Sequence, residues 1–152
     1  MNDSDIKWHQ LIINDPNFLS GNSVLEFIAP LVKLFHINHV LVKDVVGAVP
    51  DRSSLDGALL SSEEFMRRIP LAVQYDWAFF FMYEENPFVT NMDWNAADNR
   101  MLIEKSRLTI RLVDSGQFFL YEKTGEIFKV LRGNQNISES KVVSLKELDI
   151  PY

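Results

Sequence analysis

Residues 75–83 read Tyr-Asp-Trp-Ala-Phe-Phe-Phe-Met-Tyr, and this stretch decides the fold class. Tyr75, Trp77, Phe79, Phe81 and Tyr83 recur at every second position, the side-chain period of a β-strand. Ala78, Phe80 and Met82 fill the positions between them, so both faces are apolar. A strand of that kind is central, with packed layers above and below it. Leu108–Val113, Phe118–Glu122, Ile127–Arg132 and Val142–Leu145 read as four further strands. Asp114-Ser115-Gly116-Gln117 and Lys123-Thr124-Gly125-Glu126 supply tight hairpin turns between the first three of these. The expectation is a largely antiparallel sheet of about five strands from Val73 onward.

The part of the chain before Pro70 reads as helical. Asp3 or Ser4 is placed to cap a short helix through Ile13, with Trp8, Leu11 and Ile12 on its inner face. Asn22 or Ser23 is placed to cap a second helix, with Glu26 in its first turn. Pro30 predicts that this helix kinks or begins later, because an interior proline costs about 3 kcal/mol. Residues 38–49 fit either state. Val40, Val42, Val45 and Val46 favour a strand, whereas 41, 42, 45 and 46 also form a helical stripe, and the reading here is helix. Ser61-Ser62-Glu63-Glu64 is a capping box for a helix ending at Ile69, before Pro70. The expected architecture is α+β: N-terminal helices packed on one face of the sheet, in one domain over 1–152.

Composition narrows the function. A hydrophobic content of 47% in 152 residues suits a packed globule. The net charge of −6 and pI near 5.0 disfavour nucleic acid and anionic membrane surfaces, whose partners are Lys and Arg. An acidic surface does steer a basic protein into contact. No cysteine, no signal-peptide pattern at the N-terminus and no apolar run near about 20 residues give the expectation of a cytoplasmic protein.

Chemistry-bearing motifs are sparse. His36 and His39 would share a helix face, but His9 is distant in sequence and Asp44 is the one conceivable carboxylate, so no metal is expected. There is no thiol, no Gly-x-Ser-x-Gly elbow and no Gly-x-Gly pair, so neither a nucleophile nor a cofactor is expected. Glu84 and Glu85 are adjacent and would point to opposite strand faces, which argues against a working carboxylate pair. The stretch Glu84-Glu85-Asn86-Pro87-Phe88-Val89-Thr90-Asn91-Met92-Asp93-Trp94 reads instead as a loop with aromatic and Met anchors between acids. Interfaces favour that mixture. Glu84, Glu85, Phe88, Asp93, Trp94 and Asp98 are therefore the expected contacts for a basic protein partner.

Small, acidic, cysteine-free α+β chains with aromatic-rich strands, here Tyr75-Asp76-Trp77-Ala78-Phe79-Phe80-Phe81, resemble bacterial immunity proteins of contact-dependent inhibition and related polymorphic toxin systems. The resemblance is one of overall profile and transfers no individual residue. It implies stoichiometric, non-catalytic inhibition of a cognate toxin, often a basic nuclease, by covering its active or substrate-binding surface. A regulatory or adaptor interaction domain, a small-ligand binder on the aromatic sheet and a carboxylate-dependent enzyme remain the alternatives.

Overall fold

The computed structural model describes residues 6–15, 20–86, 96–113 and 116–150. They build one seven-stranded, wholly antiparallel sheet: β1 (Trp8–Asn14), β2 (His39–Ala48), β3 (Leu59–Ser61), β4 (Gln74–Tyr83), β5 (Leu108–Val113), β6 (Gln117–Glu122) and β7 (Ile137–Val143). The spatial order is β3-β2-β4-β5-β6-β1-β7. The helices are α1 (Gly21–Leu34), α2 (Arg52–Leu55), α3 (Ser62–Arg68), α4 (Asn99–Lys105) and α5 (Glu126–Leu131).

As its sequence requires, β4 lies inside the sheet and is covered on both sides. Ala78, Phe80 and Met82 join Ile110 and Leu120 in one core layer, with Val24, Ile28 and Leu31 of α1, Phe65 of α3 and Ile127 of α5. Phe79, Phe81 and Tyr83 face the other way, onto Leu102 and Ile103 of α4, Trp8 and Leu148. Helices therefore flank both faces of the sheet, where a single helical face was expected. The reason lies in β4 itself: ten residues with rings on both sides need two apolar covers.

Three segments differ in type from the sequence expectation. The first is β1, read as a helix. It is inserted between β6 and β7, so Trp8 and Ile12 face one layer and Leu11 and Ile13 the other. A strand covered on both faces loses its period of two, and its apolar run then matches a helix equally well. The second is β2, also read as a helix. Its β-branched residues set it as a strand, and a bulge between Lys43 and Val46, with Asp44 at φ +56°, mimics helical spacing. The third is α5, read as a strand over 127–132. Gly125 at φ +83° turns the chain into a helix instead of a hairpin. The last strand correspondingly runs earlier, as β7, and pairs with β1.

Other expectations hold with shifted ends. β5 spans Leu108–Val113 and pairs with β6 from Val113 opposite Gln117, the expected hairpin. Half of the expected capping box forms: the Ser61 hydroxyl accepts from the Glu64 amide at 3.1 Å and starts α3, while the Glu64 carboxylate pairs with Arg67 instead of reaching back. α3 ends at Arg68 and passes into a 3-10 turn, Ile69–Leu71. α1 begins earlier than expected, capped by Ser20, and runs through Pro30 on its exposed side. Gly21 opens α1 against that 3-10 turn. A Cβ there would lie 2.6 Å from the carbonyl oxygens of Ala72 and Ile69.

Phe80 and Phe81 are fully buried on opposite faces, so each tests one cover of the sheet. Phe80→Ala and Phe81→Ala should each lower the unfolding free energy by about 3–5 kcal/mol in chemical denaturation. A loss under about 1 kcal/mol for either would contradict the packing on that face.

Candidate functional site

The structure separates the acids that the sequence grouped. Glu84 and Glu85 leave the end of β4, both exposed, and border a shallow depression with Lys105 and Arg107. Asp98 caps the start of α4, accepting from the Arg100 amide at 2.8 Å, and borders a different depression with Lys43, Asp44 and Arg100. The seven-residue α4 lies between the two groups, a rise of about 10 Å. Its first turn is tied to the sheet by Lys43 Nζ, which donates to Ala97 O at 3.3 Å and Asn99 Oδ1 at 3.1 Å. Phe88, Asp93 and Trp94 lie outside the described residues.

Glu84 also has internal work. Arg107 reaches Glu84 at 3.3 Å, Glu122 at 3.2 Å and Glu126 at 3.1 Å, with its guanidinium 4.5 Å from the Phe35 ring centroid. Glu122 is fully buried. Its carboxylate accepts from the amides of Thr124 and Ile127, which organises the entry to α5. Burial pushes the Glu122 carboxyl up, but the hydrogen bonds from Thr124 and Ile127 and the charge of Arg107 outweigh it, and the net shift is downward. Glu85, by contrast, makes no ion pair among the described residues.

A second surface was hidden from the sequence reading. Trp77, expected in the core, is 41% exposed, and Val46 directly opposite it on β2 is 43% exposed. They line a groove of about 400 Å³ with Asp44, Arg52, Asp56, Phe79 and Arg111. Two irregularities build it. β2 carries an extra residue between Lys43 and Val46, and β4 carries Asp76 between Trp77 and Tyr75. The second shift sends Tyr75 to the Phe80 layer, away from Trp77. Gly47, at φ +139°, sits so close to β4 that a Cβ would meet Gln74 O at 2.4 Å.

The groove's groups differ in how far they are committed. Asp56 Oδ1 accepts from the Val45 amide and Arg52 Nη1 donates to Val45 O, both at 3.4 Å, which fastens α2 to the bulge. Arg111 is buried over Phe119, with Nη1 donating to Asp149 O at 2.9 Å and Tyr121 Oη at 3.3 Å. The Asp44 side chain is exposed and has no hydrogen bond or ion pair among the described residues. It borders both this groove and the Asp98 depression, so the two adjoin there. The groove's uncommitted exposed charge is therefore negative.

Elsewhere the polar groups serve packing. Burial raises the phenols of Tyr75 and Tyr83, and pushes that of Tyr121 up to about 12. Each donates to a backbone carbonyl, of Ile69, Leu102 and Asp149 respectively. His36 is exposed in the turn after α1, and His39 opens β2 rather than sharing a helix with it. Among the described residues, no three His, Asp or Glu side chains gather closely enough to hold a metal ion. No described helix is long and apolar enough to cross a membrane.

A scan against protein-family models gave no match, and neither did searches of curated proteins and of solved structures.

Glu122→Gln should cost about 2–3 kcal/mol near pH 7, since it removes the buried charge facing Arg107. Because the folded carboxyl titrates below its ordinary value of 4.5, the wild type's advantage is complete above that value. It shrinks as pH falls through the depressed folded value. Urea unfolding at several pH values measures this. A difference between the two proteins that stays constant down to pH 2.5 or so would contradict the buried charge.

Proposed function

We propose that the chain is a non-catalytic inhibitory binding protein of the immunity type, which covers a functional surface of a basic protein partner. The observation that carries this reading is the pair Trp77 and Val46. Two large apolar side chains face each other, partly exposed, on the paired strands β2 and β4, with the uncommitted carboxylate of Asp44 beside them. A tryptophan in a shallow groove is the kind of anchor that dominates interface energy, and a charged rim sets the rate of encounter. The net charge of −6 gives the whole molecule the sign that attracts a basic surface.

The interface we assign runs from Val46 and Trp77 across Asp44 to Asp98. It keeps Asp98 from the sequence expectation and moves the apolar centre from the 84–98 segment to β4. Glu84 is less available because Arg107 holds it, and Glu85 is a peripheral contributor to the field. Inhibition in this scheme is steric: the bound chain excludes substrate from the partner and transfers no group.

The partner is to be captured from the source cell, purified and titrated against the chain while its own activity is followed. Equimolar chain should abolish that activity. Trp77→Ala should raise Kd about 30-fold, mainly through faster dissociation. Asp44→Lys should slow association and reduce its dependence on salt. Melting curves confirm that each variant is folded. A partner that stays fully active when saturated would defeat the inhibitory reading, and wild-type binding by both folded variants would defeat the assigned surface.

A further inference from the structure

We propose that the chain forms a two-fold symmetric dimer in which β7 pairs, antiparallel, with β7 of a second copy, centred on Ser140. β7 closes one end of the sheet: β1 bonds to its inner side, and among the described residues no strand pairs with its outer side. Its sequence, Ile-Ser-Glu-Ser-Lys-Val-Val, has no proline, and Ser138, Glu139, Ser140 and Val142 are exposed. An open edge of this length presents a row of unpaired N–H and C=O groups, which another strand can satisfy. The opposite edge, β3, has three residues and offers much less.

Symmetry and charge pick the occupant and the register. In an antiparallel pair only alternate residues turn their hydrogen-bonding groups outward, so a two-fold axis must pass through a residue and not between residues. An axis at Glu139 sets two glutamates face to face, and one at Lys141 sets two lysines face to face. Like charges directly opposite are unfavourable. An axis at Ser138 or Ser140 or Val142 avoids that, and the Ser140 axis alone among these places Glu139 opposite Lys141 of the second copy, twice. Within one chain the same two side chains already meet, Lys141 Nζ lying 3.5 Å from Glu139 Oε1, so both stand on one side of the strand. In the dimer that intrachain contact becomes part of a four-charge ring across the axis.

The strand's own bulge limits the ladder. Glu139 faces Ile12 and Ile137 faces Ile13, so Ser138 is the extra residue. The regular pairing is confined to the middle of the strand, which implies a small interface and a weak dimer. β7 lies four strands from β4, roughly 20 Å away, so pairing leaves the Trp77 groove open. The resulting sheet is continuous through fourteen strands, twice the seven of one chain, and carries two such grooves.

Sedimentation equilibrium from about 10 μM to about 1 mM tests this, with a range suited to a small interface. The wild type should rise from the 17.6 kDa of one chain toward twice that mass. Lys141→Glu and Glu139→Lys should each weaken the association about tenfold or more, because each creates two like-charge pairs. The double exchange, Glu139→Lys with Lys141→Glu, should return it to within about threefold of wild type. These positions are exposed or half-buried, and unchanged melting curves confirm that the variants fold. A wild type that stays at one chain's mass throughout overturns the proposal. So does a dimer indifferent to either single exchange, and so does a double exchange that fails to recover. None of these results bears on the Trp77 interface, which is read by a different partner and different residues.

Discussion

Everything in this fold answers to one constraint: β4 must be covered on both faces. Five consecutive side chains, Phe79 to Tyr83, are buried, and they point alternately to opposite sides of the sheet. Each large ring removes on the order of 150–250 Å² from water, more than one layer of helices on one side can accommodate. The chain meets the constraint with α1, α3 and α5 below the strand and α4, Trp8 and the C-terminal turn above it. Neighbouring strands follow the same rule. Leu41 and Val42 on β2 face the two layers in turn, as do Phe118 and Phe119 on β6. Two of the polar groups trapped between layers are held by specific partners: Tyr83 Oη by the Leu102 carbonyl, Glu122 by Arg107 and two backbone amides.

The parts of the fold legible in the sequence were those whose signal is local. The alternation of β4 from Trp77 to Tyr83, the β5–β6 hairpin and the Ser61 cap depend on residues within a few positions of each other. The misread parts depend on distant ones. Nothing near Trp8–Asn14 says that it will slot between β6 and β7, and once it does, burial on both faces erases the pattern that identifies a strand. α5 turns on Glu122, whose carboxylate collects amides two and five residues ahead while Arg107 neutralises it from another strand's approach. A Thr-Gly pair between apolar runs looks like a hairpin until that buried charge is known.

The candidate surface was illegible for a related reason. A perfect alternation from Tyr75 to Tyr83 places Trp77 beside Phe79 in the core. Two bulges break it: Asp76 resets the face of Tyr75, and the left-handed Asp44 resets that of Val46. Asp44 and Gly47 were the available signals, since short polar residues and glycine take up such conformations most readily. Bulges re-aim side chains, and here they turn Tyr75 away to the Phe80 layer and set Val46 opposite Trp77, which stays on the Phe79 side and lines the groove with it. Of the residues expected at a partner surface, Asp98 borders the region next to Asp44, Glu84 is drawn into the Arg107 network, and Glu85 stands apart.

The central claim is that these bulges present Trp77 and Val46 to a basic partner. Hydrogen–deuterium exchange of the chain, free and saturated with that partner, tests it most directly. The account predicts that protection on binding concentrates in residues 43–47, 52–56, 74–79 and 96–100, with little change in β6 and β1. Protection confined to other segments, with 43–47 and 74–79 exchanging as in the free chain, would contradict it.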